Sequence, residues 1–273
     1  MNRLSPSFPG AQAAFRLRAA CLRFAVVAAL SVGSVAAQPV SPAEMLLFET
    51  DHLAKMKAPA TLVYEFRKLS NVEPAFTDSV QLDVSRSKGQ VHAALRFLSG
   101  KRRHEMPEID DAHGNPVLLG FLEHDIAEMR RLTGGAVNYF RKRIRMALSD
   151  KAQVTPQRIA YQGKTVEARA VRIQPYLDDP LHARFEKYVR KTYTFVFSDA
   201  VPGGLYQVLT SLENTAGGTP PPGAVVARTA APGRAVSGMA QAGAAAPGTA
   251  TPGAVMPVID ETLTLVKVVD PQR

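Results

Sequence analysis

Apolar and polar positions alternate along the first half of the chain in a way that predicts three strands. Leu62, Tyr64 and Phe66 share one face of the first. Val80, Leu82 and Val84 share one face of the next, against Ser79, Gln81 and Asp83 on the other. After a Ser87-Lys88-Gly89 turn, Val91, Ala93, Leu95 and Phe97 form the dry face of a third, with His92 and Arg96 on its wetter side. A period of two over short runs bounded by turn residues is the mark of half-buried strands, and short connections make them an antiparallel meander. Ahead of them, Pro42 to Lys57 reads as an amphipathic helix, with Ser41 as N-cap, Glu44 completing a capping box and Pro59 ending it.

At Asn115 the period changes to helical. Asn115 is a good N-cap, Pro116 suits the first helical position, and Thr133-Gly134-Gly135 is a stop signal. Leu118, Phe121, Leu122, Ile126, Met129 and Leu132 fall in one apolar arc, and Asp125 falls inside it. His124, Ala127 and Arg131 point away from that arc. A second helix, Val137 to Leu148, carries Phe140, Ile144 and Ala147 as its stripe, with Arg143 projecting from within it. Helices joined by a short glycine turn are antiparallel neighbours. Unpaired buried charge is costly, so an Asp125–Arg143 ion pair is expected.

Alternation then resumes. Val154 to Ala160 and Thr165 to Ile173 flank a Gln162-Gly163-Lys164 turn. Val189 to Phe197 follows, with Tyr193, Phe195 and Phe197 on one face, then Leu205 to Leu212 and finally Val258 to Val269. Residues 214–257 are rich in Pro, Gly and Ala and almost free of large apolar side chains, so they are read as a disordered insertion. Closure entropy grows slowly with loop length, so the strands on either side of it can still pair. One apolar sheet face must be covered, which predicts an α+β fold: a single domain over 38–273, a curved antiparallel sheet or half-barrel with helices packed on one face.

Composition adds a compartment. Residues 1–37 hold Arg3, Arg16, Arg18 and Arg23 and no acid, then the apolar run 24–30 and small residues before Gln38. That is the pattern of a cleaved secretory signal, implying a periplasmic protein. Its removal takes away Cys21, the one cysteine, and lowers the balance from +9 to 29 basic minus 24 acidic residues, or +5. A surplus of that size allows membrane-surface contact but is no nucleic-acid footprint.

No catalytic motif stands out: there is no nucleophile elbow and no HExxH. His124 and Glu128 are spaced as half a metal site with nothing placed to complete it, so neither metal nor cofactor is expected and both are read as helix surface. Lys101, Arg102 and Arg103, beside His104, are candidates for anion or headgroup contact or, more plainly, a solvated rim.

The order of elements, together with export, resembles the LolA/LolB-like lipoprotein carriers of bacterial envelopes, although the chain has no tryptophan and no diagnostic motif. The resemblance implies an acyl-chain or lipoprotein ligand over an apolar cavity. Tyr64, Phe66, Leu95, Phe97, Phe121, Met129, Tyr193 and Phe195 are then its candidate walls, and otherwise core. The expected function is binding or carriage of a hydrophobic ligand without catalysis. The alternative is an envelope protein that binds or assembles another protein and has no ligand cavity.

Overall fold

The computed structural model describes residues 39–212 and 259–270; the expected signal (1–37) and insertion (214–257) lie outside the described residues. The chain opens with α1, a turn of α-helix at Pro42–Glu44 that widens into a π-helical turn at Met45–Glu49. The capping box is present in both directions, Glu44 N to Ser41 Oγ and Ser41 N to Glu44 Oε2, each 3.1 Å. The helix stops well short of Lys57, the expected end. Thr50 turns extended and both its N–H and its hydroxyl donate to the Met45 carbonyl, while Leu53 N bonds the distant His113 carbonyl. Tertiary hydrogen bonds thus take over from the helical ladder.

Among the described residues ten strands follow: β1 (Ala60–Ser70), β2 (Phe76–Ser87), β3 (Gln90–Phe97), β4 (His104–Glu105), β5 (Ile109–Asp110), β6 (Gln153–Tyr161), β7 (Lys164–Ile173), β8 (Thr192–Phe197), β9 (Leu205–Ser211) and β10 (Ile259–Val269). They form one curved, open antiparallel sheet in the order β4-β3-β2-β1-β10-β9-β8-β7-β6, with β5 also pairing β3. β9 and β10 pair as expected, and β10 then lies along β1, joining the two halves of the chain. The β2–β3 and β6–β7 turns place Lys88-Gly89 and Gln162-Gly163 at positive φ, the two-residue form that suits the twist of paired strands.

α2 (Pro116–Thr133) and α3 (Val137–Asp150) pack on one face of the sheet. α2 begins and ends where its signals place it: Asn115 Oδ1 accepts from Val117 N, and Gly134 is left-handed at φ 72°. Its height over β3 is set at Gly120, where a Cβ would meet Leu95 Cδ2 at 2.6 Å. The core is continuous, from Leu62, Tyr64 and Phe66 of β1 through Phe121 and Met129 of α2 to Phe195 of β8.

Candidate functional site

The eight candidate wall residues are all buried in this core. Phe66 lies 6.2 Å from Phe97 and 6.3 Å from Phe121, ring centre to ring centre, and Tyr193 stacks on Phe195. These rings pack against one another, and none of the eight lines the cavities of about 330, 580 and 110 Å³.

At one end of the inner face the alternation continues with polar side chains. Lys68, Glu261, Thr210 and Tyr193 are successive partners across β1, β10, β9 and β8, and all four are buried. Lys68 Nζ lies 2.8 Å from Glu128 and from Glu73 and 3.5 Å from Glu261. Thr210 Oγ1 donates to Glu261 Oε2 at 3.4 Å. Above the row, α2 lowers Asp125, which is completely buried, pairs with Lys191 and accepts from Tyr193 OH at 2.6 Å. Tyr176 OH adjoins Tyr193 OH at 3.2 Å.

The electrostatics follow from burial and pairing. Burial would push Glu128 up, but hydrogen bonds from Arg131 and Lys68 outweigh it and hold it down at about 2. Burial would lower Lys68 and Lys191, yet the facing carboxylates keep both raised. Glu261 is raised by burial against the pull of Lys191 and Lys68. Lys68, Lys191 and Arg131 thus face four carboxylates, Asp125, Glu128, Glu73 and Glu261.

The expected Asp125–Arg143 pair does not form. Both residues do turn inward, but Arg143 Nε lies 2.9 Å from Asp179 Oδ2, an ion pair whose geometry is off-line for a hydrogen bond. Asp179 Oδ1 accepts from Tyr139 OH and from Leu181 N. Each helix thus settles its charge against a different part of the 174–193 segment, which sequence reasoning left without partners.

His124 and Glu128 are not the solvated surface expected of them. α2 is covered on that flank too: His124 is buried 5.4 Å from the Phe66 and Phe97 rings, its Nδ1 3.1 Å from His104 Nε2, and burial lowers it to about 4. Its Nε2 has no hydrogen-bond partner among the described residues and sits 4.0 Å from Glu261. Among the described residues no group of three or more His, Cys, Asp or Glu is arranged to hold a metal ion. Of the basic cluster, Lys101, Arg102 and Arg103 are exposed, but Arg102 is committed to the Phe76 ring, 4.1 Å from its centre.

Lys68, Glu261 and Lys191 were missed, although a signal existed. Each is in phase with the apolar face of its strand: 62, 64, 66, then 68; 261, then 263 and 265; 191, then 193, 195 and 197. Period two carried one step further places all three charges inside.

The other end of the β1–β10 ladder is open. A cavity of about 580 Å³ lies between the 50–60 segment, the 199–204 turn and the end of β10, at Val268 and Asp270. Asn115, while capping α2, also ties this wall: its Nδ2 donates to Gly203 O at 2.7 Å and to Tyr64 OH at 3.0 Å. His52 lines the cavity, stacks on Phe197 and approaches the Leu46 carbonyl at 2.8 Å through Nε2. A carbonyl only accepts, so Nε2 carries the proton; burial lowers the ring's pKa, leaving it neutral with Nδ1 against Gly204. Met56, Pro59, Val201 and Val268 supply apolar wall, and Lys55 and Lys57 stand exposed at the mouth.

No family model matches this sequence, and no curated protein matches it.

Proposed function

We propose that the protein is an exported, non-catalytic binding protein of the cell envelope. Its ligand is a small amphiphile held in the cavity between the 50–60 segment and the 199–204 turn. The observation that carries this reading is the cavity itself. Its volume of about 580 Å³ lies in the range of small-molecule sites, its wall is largely apolar, and two lysines stand at its mouth. The lining carries both signs of charge: Asp51, paired with His113 at 3.1 Å, and Asp199 and Asp270 stand with Lys55 and Lys57. A polar head able to meet both signs of charge, with an apolar tail, fits these features.

Export rests on the basic and apolar pattern of residues 1–37. Binding rather than turnover rests on the imidazole: Nε2 of His52 is committed to a carbonyl and Nδ1 abuts Gly204, so the ring serves as wall. This reading moves the ligand away from the eight core residues and places it at the open end of the sheet.

The test is titration with a fluorescent fatty acid, alongside native mass spectrometry and lipid extraction of protein purified from the periplasm. Ala200→Trp, at an exposed cavity-lining position, should weaken uptake at least about tenfold and leave the thermal midpoint unchanged, as surface substitutions do. Protein that carries no lipid and takes up no fatty acid overturns the reading.

A further inference from the structure

The outward face of α3 continues into the segment packed beside it, and the two together carry a charge surplus that nothing in the fold uses. At about 100° per residue, Lys142 and Arg145 fall opposite the buried Phe140, Ile144 and Ala147. Met146 falls between that basic stripe and the side that carries Tyr139 and Arg143. Tyr139 and Arg143 are the residues that hold the 174–190 segment, through Asp179 and through the Phe185 ring, 6.4 Å from Tyr139. Met146 also shares a shallow cleft of about 110 Å³ with Pro175 and Asp178.

These contacts place Met146 beside the 174–178 stretch that carries Leu177 and leads to Leu181, and the three are 41%, 45% and 40% exposed. Around them lie Lys142 and Arg145 from the helix and Arg184, Lys187 and Arg190 from the segment, all exposed and without an ion pair among the described residues. Of the acids on this face, Asp178 is held by Lys151 at 2.6 Å, leaving Asp150 and Glu186 against five cations.

We propose that this face docks on an anionic phospholipid surface, with the cations seated on headgroup phosphates and Met146, Leu177 and Leu181 entering the headgroup boundary. Charge complementarity names the partner, because apolar side chains set among unpaired cations match the layered chemistry of a membrane surface. The cleft beside Met146, about 110 Å³, is too small to seat a protein segment. Membrane docking stands independently of the cavity reading.

The experiment is co-sedimentation of the full chain with vesicles of phosphatidylcholine alone or with about 30% phosphatidylglycerol. Selective binding to the anionic vesicles, removed by high salt, is expected. Losing one cation at such a surface lowers partitioning about fivefold, so Lys142→Gln with Arg145→Gln should lower it about 25-fold. Leu177→Ser with Met146→Ser should weaken binding at unchanged salt dependence. All four side chains are exposed, so thermal midpoints should match the parent. Fatty-acid uptake by the glutamine variant should be unchanged, which separates this proposal from the cavity. Equal binding to neutral vesicles, loss on Lys101→Gln alone, or no vesicle binding with a salt-sensitive dimer overturns it.

Discussion

Near one end of the β1–β10 ladder, at Lys68 and Glu261, lies a buried polar row, whereas the other end, at Thr61 and Val269, adjoins a cavity open to solvent. Both ends belong to one inner face with one alternation. What differs is the cover: α2 lies over the first, and only the short α1 region and a glycine turn stand near the second. A buried ion pair gains little over well-packed apolar residues, yet removing one partner is expensive. The closed end is therefore held in one arrangement by paired buried charge, whereas the open end is tied by the neutral hydrogen bonds of Asn115 to Gly203 and Tyr64.

The comparison breaks most directly at Asp125. Replacing it by Ala leaves Lys191 buried and unpaired, and should cost about 3–5 kcal/mol in urea unfolding. Adding Lys191→Met should recover much of that. A cost below about 1 kcal/mol for Asp125→Ala shows that the row is not a clasp.

Acid sharpens the contrast next. Burial lowers His124 from an ordinary 6.5 to about 4, so the unfolded chain takes this proton first, and stability falls as pH drops from 6.5 towards 4, by about 3 kcal/mol. Glu128, lowered to about 2, extends the loss from 4.5 downward. Glu261 works in the opposite sense, since its pKa is raised by burial and its contribution is lost as pH rises through that value. His124→Phe, set among Phe66 and Phe97, should remove the upper window in denaturation curves taken at a series of pH values.

The smallest effect belongs to the open end. Gly204 is left-handed at φ 71°, and a Cβ there would collide with His52 Nδ1. Gly204→Ala should cost about 1–2 kcal/mol and weaken fatty-acid uptake through displacement of His52. Unchanged uptake separates the imidazole from the site.

Much of the fold was legible because its signals are local. The caps of α2 and α3's stripe lie within a turn or two of the residues they govern, and the pairing of β9 with β10 could be argued because loop length costs little. The α1 region failed where local rules met distant partners, the His113 carbonyl and the Phe197 ring. The site was harder. An inward Asp125 and an inward Arg143 were readable from helical phase, but neither helix says what lies opposite it.

Periodicity, caps and turn residues along the chain by themselves determined the long strands, the two long helices and which of their faces turn inward, including three charges whose phase was already inward. Only the tertiary structure decided that Asp125 meets Lys191 and Tyr193, that Arg143 meets Asp179, and that a cavity of about 580 Å³ opens at the ladder's end. The physical reason is range. Phase is set by backbone geometry within a few residues, whereas the partner of a buried charge and the place of a cavity depend on how distant segments share the same volume.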